Sequence, residues 1–377
     1  MSTLSEIICR EAAERGVLPF ARFMELALYC PVHGYYETEK DNPGRHGDFY
    51  TSVGVGELFG QFLAFQFAEW LQAEVQSPTP LAREQASKVQ IVEAGAHDGR
   101  LAKDILAWLQ LKRPKLFDQI EYWVIEPSPR RQKWQKETLK NFAPRVRWFA
   151  SFQSLLQERT CHSSPATRHP SLHGIIFSNE LLDAMPVHRL GWDAKSKKWF
   201  EWGVTVAGEK FVWARIQPLA FSLQPSALES VLPDGYTIET CPAAQNWWRE
   251  AANVLGRGRL LTIDYGFPAD ELFSPGRRHG TLRAYFRHHA SDDLLANVGE
   301  QDLTAHVNFS AIQTVGESAG LKTESFLTQS QFLTQILEKA AKNNSLGTWA
   351  SAQARQFQTL THPEHLGRAF RVLVQSR

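Results

Sequence analysis

Short apolar runs alternate with helical patterns from Val89 onward, and this alternation restricts the possible folds more than any other feature. The runs VQIVEAG, IEYWVIEPS and VRWFA are separated by DGRLAKDILAWLQL and PRRQKWQKETLKNF, which have helical character. Two further apolar runs, LHGIIFSNEL and GRLLTIDYG, would extend the same sheet. Strands that are apolar on both faces are typical of parallel sheets covered by helices. The pattern therefore predicts an α/β fold with a Rossmann-like, doubly wound sheet.

The segments around this alternation predict additions to the sheet. Residues 1–80 have helical patterns and a glycine-rich loop, which predict an N-terminal helical cap, and residues 81–377 would form the main domain. Aromatic-rich alternation over about 187–240 predicts an inserted antiparallel β/α region with a hairpin turning near Ala207 and Gly208. The last third adds two helices and an edge strand: Phe309–Ala319, Gln329–Ala341 and FRVLVQS.

Composition excludes several classes of function. The chain has 41 Lys and Arg against 40 Asp and Glu, a formal net charge of +1, so we expect no nucleic-acid partner. The four cysteines are scattered without the spacing of metal ligands or of a disulfide framework, so we expect no metal site and a reducing compartment. The first residues have neither a basic start nor an apolar core, unlike a secretory signal. A cytoplasmic protein is the resulting expectation.

The longest apolar run is Leu58–Leu71, which Gln61, Gln66 and Glu69 interrupt. It is shorter than the roughly 20 apolar residues that a membrane span needs. Its apolar positions recur at helical spacing, which predicts a buried amphipathic helix rather than a span.

A glycine motif follows the first predicted strand of the sheet. The motif EAGAHDG, residues 93–99, stands where the strand ends and a helix begins, and ligands of open α/β sheets bind at such ends. Gly95 and Gly99 permit a tight turn and close approach of the backbone, while Glu93 can lie beside a cationic group. A sulfonium or amino group suits this site better than phosphate. The spacing G-x-x-x-G also lacks the G-x-G-x-x-G pattern of dinucleotide-binding enzymes.

Glu126 follows the second predicted strand. An acidic side chain there can accept hydrogen bonds from both ribose hydroxyls of an adenosine. Together with Glu93 it gives the arrangement of S-adenosylmethionine-dependent methyltransferases. The alternative is a simple glycine turn and a surface glutamate.

Polar residues also end the predicted strand GIIFSNELLDAMPV. Asn179 and Glu180 would lie beside the position of a transferred methyl group, with Asp183 shortly after them. Methyl transfer is an in-line displacement, so positioning the nucleophile can supply much of the catalysis, and carboxylates suit a guanidinium nucleophile. The alternative is that Asn179 and Asp183 cap a helix with Glu180 in its first turn.

Eight stretches occur in an order that carries a family resemblance: CPVHGYY, GDFYTS, EAGAHDG, SNELLDAMPV, ETCPAA, LLTIDYG, GTLRAYFRHH and DLTAHVNFSAI. With these stretches the chain resembles the MidA family of methyltransferases, bacterial relatives of the mitochondrial arginine methyltransferase that assists assembly of respiratory complex I. The ordered set covers nearly the whole chain, and GTLRAY followed by DLTAHV is its most specific part.

The resemblance implies a set of residues around the cofactor S-adenosylmethionine: Glu93, Gly95, His97, Gly99, Glu126, Asp48, Thr51 and Ser52. The glycine motif would frame the amino-acid end, Glu126 would hold the ribose, and GDFYTS would close over the cofactor as a lid from the cap. Asn179, Glu180 and Asp183 would face the acceptor as catalytic residues.

Two positions depart from the family pattern. The family commonly has glycine where this chain has His97, and proline and glutamate where it has Val53 and Gly54. The His97 side chain would either crowd the methionine end of the cofactor or point out of the turn.

These expectations combine into a protein arginine methyltransferase whose substrate is a protein, such as a respiratory-complex subunit. Glu180, helped by Asn179, would orient the arginine. Two alternatives stay open: a catalytically inactive assembly or scaffold protein that binds through the aromatic insertion Trp199–Trp213, or a methyltransferase acting on a small molecule or RNA.

Overall fold

The computed structural model describes residues 3–38, 51–75, 88–161, 172–216, 232–287, 289–342, 345 and 349–377. The described residues divide into two compact units that interleave along the chain. We call residues 1–49, 182–246 and 266–311 the cap unit, and residues 50–181, 247–265 and 312–377 the sheet unit.

The strands of the described residues are β1 Leu18–Pro19, β2 Val89–Ala94, β3 Ile120–Ile125, β4 Val146–Phe149, β5 Leu172–Asn179, β6 His188–Asp193, β7 Lys198–Ala207, β8 Lys210–Ile216, β9 Thr237–Thr240, β10 Leu255–Phe267, β11 Arg283–Phe286, β12 His289–Ser291, β13 Asp302–Thr304, β14 Val307–Asn308, β15 Lys322–Thr328 and β16 Phe370–Ser376. The α-helices are α1 Leu4–Arg15, α2 Phe20–Tyr29, α3 Ser52–Val55, α4 Leu58–Val75, α5 Arg100–Lys112, α6 Pro114–Phe117, α7 Pro129–Thr138, α8 Phe152–Cys161, α9 Pro242–Val254, α10 Ala269–Leu272, α11 Phe309–Ser318, α12 Gln329–Lys342, α13 Ser351–Thr361 and α14 Leu366–Ala369.

The main sheet of the sheet unit has the strand order β15-β16-β10-β5-β2-β3-β4. The pairs from β10 to β4 are all parallel, and β16 and β15 add an antiparallel end. Within this sheet the first strand along the chain is β2. The next strands, β3 and β4, lie successively further out on one side of β2, and β5 lies on its other side. The prediction of a doubly wound α/β sheet is confirmed, and the switch point between β2 and β5 is where such sheets bind ligands.

The closing strand is predicted correctly, but its place at an edge is wrong. Strand β16 lies between β10 and β15, and the edge is β15. The physical reason is burial on both faces: six of the seven residues of β16 are buried, whereas none of the seven residues of β15 is.

The predicted buried helix is confirmed as α4, but it packs in the sheet unit rather than with the N-terminal cap. Phe62 and Phe67 of α4 belong to one core with Ile91 and Phe177 of the central strands, and the Phe67 and Phe177 ring centroids are 5.1 Å apart. The boundary that we predicted near residue 80 lies outside the described residues. Among the described residues, no helix has the length and apolar character of a membrane span.

The cap unit is built on α1, α2 and an antiparallel sheet of the order β1-β7-β6-β9, with β8 paired to β7. The predicted hairpin is confirmed: β7 and β8 pair up to Ala207 and Lys210, and Gly208 takes a φ of +63° in the turn. Its aromatic side chains pack inward, since Trp213 lies 5.0 Å from Phe20 of α2 between ring centroids. This packing accounts for the aromatic alternation as the buried face of a sheet.

Candidate active site

The carboxyl ends of three adjacent parallel strands bring the predicted acidic residues to one edge of the main sheet. Glu93 is next to last in β2, Glu126 directly follows β3, and Asn179 ends β5. In the register, Glu93 stands opposite Val124 of β3 and Phe177 of β5. The predicted placement of these residues at strand ends is therefore confirmed.

Glu93 is a buried carboxyl held by one phenol. The hydroxyl of Tyr122 donates to Glu93 Oε2 at 2.6 Å, and the Glu93 residue is 3% exposed. Burial raises the pKa of Glu93 to about 7, although the Tyr122 hydrogen bond opposes that shift. The group therefore changes charge near neutral pH, and a cationic ligand beside it would favour the ionised form.

The turn after β2 has the backbone conformation that its glycines allow. Gly95 and Gly99 have φ values of +74° and +84°, and a Cβ on Gly95 would lie 2.9 Å from Leu181 Cδ1. His97 has a φ of +45° although it has a side chain. Its Nδ1 lies 3.9 Å from Asp98 Oδ1 with the His97 side chain 31% exposed, so the ring is associated with Asp98 and is not buried in the turn.

The pKa of Asp98 differs from that of Glu93 because Asp98 has charged neighbours. Burial alone would raise the pKa of Asp98, but the hydrogen bond and charge of His97, with the charge of Arg100, lower it to about 2. Asp98 Oδ2 lies 2.6 Å from Arg100 Nε. One turn thus combines an ionised Asp98 with a Glu93 that titrates near pH 7.

Glu126 is fixed by donors from its own neighbourhood in the chain. Its Oε1 accepts from the Ser128 backbone N–H at 2.9 Å and lies 3.2 Å from Arg131 Nη2. Its Oε2 accepts from Gln135 Nε2 at 3.1 Å. Glu126 is 1% exposed, so its orientation is set by these partners.

Gln135 was not predicted from the sequence, yet it joins the two halves of this edge. Its Nε2 donates to the His97 carbonyl at 3.0 Å as well as to Glu126, and its Oε1 accepts from Trp148 Nε1 at 3.0 Å. The residue is fully buried on α7. A polar helix of the composition PRRQKWQKET gives no sequence signal that singles out one glutamine.

Glu180 is held in a strained backbone conformation. Its φ is +51°, which costs a residue with a side chain about 1–3 kcal/mol and persists only when surrounding contacts fix it. Its N–H donates to the Ile263 carbonyl at 2.9 Å, and its Oε1 accepts from Asn179 Nδ2 at 3.0 Å and from the Ser52 N–H at 3.2 Å. The alternative of a capped helix here is wrong, because residues 180–187 form bends and turns with no helix.

Thr51 and Ser52, predicted as lid residues, begin a short helix in the sheet unit. Thr51 is the N-cap of α3, since its hydroxyl accepts from the Gly54 N–H at 2.9 Å. The Ser52 hydroxyl donates to Gln329 Oε1 at 3.0 Å, and Ser52 is fully buried. Asp48, the third predicted lid residue, lies outside the described residues. The lid role of this segment stays a prediction.

Asp183, predicted to face the acceptor, belongs to the cap unit and is 5% exposed. The same unit pairs the half-buried Tyr36 with the buried Asp302, since the Tyr36 hydroxyl donates to Asp302 Oδ1 at 2.8 Å. Burial, together with the charges of Asp302 and Asp183, raises the pKa of Tyr36 well above its ordinary value. Burial also lowers the pKa of His306 to about 4, so its ring is neutral at neutral pH.

Comparison with known proteins decides the family. Residues 62–327, more than half of the chain, match the family Methyltransf_28 of S-adenosyl-L-methionine-dependent methyltransferases. The chain belongs to this MidA-type methyltransferase family. It is a methyltransferase, and its cofactor is S-adenosylmethionine.

Relatives of this methyltransferase include proteins named protein arginine methyltransferase NDUFAF7, mitochondrial. The Drosophila melanogaster homolog is 27% identical over 95% of this chain and 81% of its own length, and the Danio rerio protein is 28% identical over 83% and 72%. A Burkholderia thailandensis crystal structure bound to S-adenosyl-homocysteine is 31% identical, with a TM-score of 0.80 over 99% of this chain and 92% of that one.

The residues of this methyltransferase fit the cofactor on two observations. Among the residues that the structure describes, no hydrogen-bond donor reaches the buried Asn179 Oδ1, which leaves an acceptor for an ammonium or hydroxyl group. Gly95 presents bare backbone at the carboxyl end of β2, where a Cβ would lie 2.9 Å from Leu181 Cδ1. Individual cofactor contacts of Glu93, His97 and Glu126 stay predictions.

Proposed function

We propose that this methyltransferase acts on an arginine side chain of a protein. The observation that carries the proposal is the Glu180 carboxylate at the end of β5, fixed by the Ser52 and Asn179 N–H groups at a positive φ. Relatives named as protein arginine methyltransferases support it.

A carboxylate suits a guanidinium acceptor for two reasons. A guanidinium stays protonated near neutral pH and presents paired N–H donors that match the two oxygens of a carboxylate. The carboxylate can also accept the proton that the guanidinium nitrogen loses when it takes the methyl group. Glu180 therefore orients the acceptor and holds its positive charge, while Asn179 keeps the carboxylate turned toward it.

The cofactor supplies a methyl group on a sulfonium sulfur. Residues of this chain on both sides of the switch point would hold the cofactor. We assign the ribose hydroxyls to Glu126, and we assign the ammonium group to Glu93 and to Asn179 Oδ1. Buried carboxylates at strand ends fit these cationic and hydroxyl donors.

The acceptor proposed here is a subunit of a respiratory complex, and the proposed compartment is the cytoplasm. The choice of acceptor follows the family resemblance, since relatives of this chain are named as mitochondrial enzymes. Free thiols at Cys9, Cys30 and Cys241 are consistent with a reducing compartment.

The experiment compares wild type with Glu180→Gln, which keeps the shape of the side chain and removes its charge. Purified enzyme is incubated with isotopically labelled S-adenosylmethionine and arginine-containing subunits of respiratory complexes, and methylarginine is measured by mass spectrometry. We expect methylarginine with wild type and a loss of about 100-fold or more with the variant, at unchanged cofactor affinity.

Three results would contradict the proposal. Full activity of Glu180→Gln would remove the role of the carboxylate. Label on RNA or on a small amine, with none on arginine, would replace the acceptor class. Cofactor binding without transfer to any acceptor would favour a scaffold protein on the same fold.

A further inference from the structure

A chain of hydrogen bonds connects the C-terminal helices of the sheet unit to the Glu180 carboxylate. Gln329 Nε2 donates to the Leu360 carbonyl at 3.0 Å, and Ser52 Oγ donates to Gln329 Oε1 at 3.0 Å. The Ser52 N–H then donates to Glu180 Oε1 at 3.2 Å. Residues from three separate stretches of the sequence are thus linked to one carboxylate oxygen of Glu180.

Gln329 can fix this series of hydrogen bonds because only one orientation of its side-chain amide satisfies both of its partners. It begins α12 and is fully buried, and a buried amide is costly unless both of its ends are hydrogen-bonded. The Leu360 carbonyl can only accept, so the amide nitrogen faces it and the amide oxygen faces Ser52. The Ser52 hydroxyl must then donate to Gln329.

Ser52 couples this anchor to Glu180 through its backbone. It is the first residue of α3, and Thr51 before it is extended, with φ −103° and ψ 156°. Its hydroxyl is fixed by Gln329 and its N–H by Glu180, so the direction of the N–H follows the position of Gln329. The Ser52 N–H thus supplies a donor, at 3.2 Å, to the carboxylate of a residue that has a strained φ.

We infer that Ser52 and Gln329 are positioning residues for methyl transfer: they fix the Glu180 carboxylate in the orientation in which it receives the acceptor guanidinium. The inference rests on the proposed function of Glu180. It gives Ser52 a role through Glu180 rather than through contact with the cofactor, and it gives Gln329 a role that no motif assigns.

Two substitutions of Ser52 separate its groups. Ser52→Ala removes the hydroxyl and keeps the N–H, whereas Ser52→Pro removes both. Proline is accepted at the first helical position after an extended residue, so the backbone can remain in place. We expect kcat to fall about threefold in Ser52→Ala and about 30-fold in Ser52→Pro, with the Kd of S-adenosylmethionine within about twofold of wild type.

Gln329→Leu tests the anchor and does not depend on proline being tolerated. It should lower kcat about as much as Ser52→Ala, and the double variant should be no worse than either single one, because both break the same link. Gln375→Leu is the matched control. Gln375 is also fully buried in the sheet unit. Its side chain accepts from Trp248 Nε1 at 2.8 Å and donates to the Gln313 carbonyl at 3.0 Å and to Thr323 Oγ1 at 2.9 Å, and among the described residues none of these partners bonds Glu180. It should lower the melting temperature and leave kcat unchanged.

A second measurement needs no acceptor. Hydrogen exchange of the peptide that contains Ser52 should accelerate in both Glu180→Ala and Gln329→Leu and stay at the wild-type rate in Gln375→Leu. Unchanged exchange in the first two variants would overturn the inference.

Kinetic outcomes distinguish this inference from the proposed function. Wild-type kcat in Ser52→Pro, with Glu180→Gln inactive, would overturn the positioning role alone. A raised cofactor Kd in Ser52→Ala at unchanged kcat would show that the hydroxyl serves the cofactor instead. Equal losses of kcat in Gln329→Leu and Gln375→Leu would reduce the effect to lost stability. Full activity of Glu180→Gln would refute the proposed function, and the positioning role with it.

Discussion

Two glutamates at the same edge of the sheet are held in the same way but by different parts of the chain. Glu126 accepts from the Ser128 N–H and from the amide of a buried glutamine, Gln135. Glu180 accepts from the Ser52 N–H and from the amide of Asn179, and a buried glutamine, Gln329, stands behind Ser52. Each carboxylate therefore has a backbone donor, an amide donor and a buried glutamine in its network.

The difference between the two networks is their span in sequence. The Glu126 network closes within residues 97–148, whereas the Glu180 network needs Ser52 and Gln329, 128 and 149 positions away. The Glu126 network keeps its geometry as long as the neighbouring strands β2, β3 and β4 and helix α7 are folded. A distant one depends on the packing of α3 and α12, so it can be disturbed without touching the cofactor residues.

The largest loss of kcat is expected from moving the Glu180 carboxylate, which faces the acceptor. Glu180→Asp shortens the side chain by one methylene and withdraws the carboxylate from the Ser52 and Asn179 N–H groups while keeping its charge. We expect kcat to fall about 100-fold, because misplacement by about 1 Å removes the alignment of the acceptor. Steady-state kinetics with the arginine acceptor measures this, and a loss below about threefold would show that charge alone suffices.

A smaller effect is expected on the cofactor side. Gln135→Leu removes the donor shared by Glu126 and the His97 carbonyl and leaves Trp148 Nε1 without its partner. We expect the Kd of S-adenosyl-homocysteine to rise about tenfold, with kcat at saturating cofactor unchanged. Gln329→Leu is the paired control, in which we expect kcat to fall and the Kd of the cofactor to stay unchanged. A change of the same quantity, Kd or kcat, in both variants would contradict the distinction between the two networks.

The smallest effect concerns pH. The pKa of Glu93 is raised to about 7, so the carboxyl is mostly protonated at pH 6 and mostly ionised at pH 8. If it faces the ammonium group of the cofactor, affinity should rise with pH, by about fivefold from pH 6 to pH 8. Calorimetry at both pH values measures this, and Glu93→Gln should lose the dependence. A pH response that survives in the variant would assign it to another group.

The sequence is sufficient for the features that depend on short-range patterns. The buried strands VQIVEA and IEYWVI predict the parallel sheet, and the glycines of EAGAHDG predict the turn. Glu93 and Glu126 are predictable because strand ends of a parallel sheet share one edge.

Features that depend on distant packing are not predictable in this way. Gln329 looks like any polar residue at the start of a helix, and its role requires knowing that α12 meets Ser52. The helix α4 gives no sign of which unit it joins, because an apolar helix can pack against any apolar surface. The edge position of β15 likewise depends on its pairing with β16, more than 40 residues later.

The most direct test of the division between the two glutamates is calorimetric titration of S-adenosyl-homocysteine into wild type, Glu126→Gln and Glu180→Gln. We expect Glu126→Gln to weaken binding about tenfold or more, since a charged acceptor for the ribose is lost, and Glu180→Gln to bind within about twofold of wild type. Equal weakening in both variants, or in Glu180→Gln alone, would contradict this division.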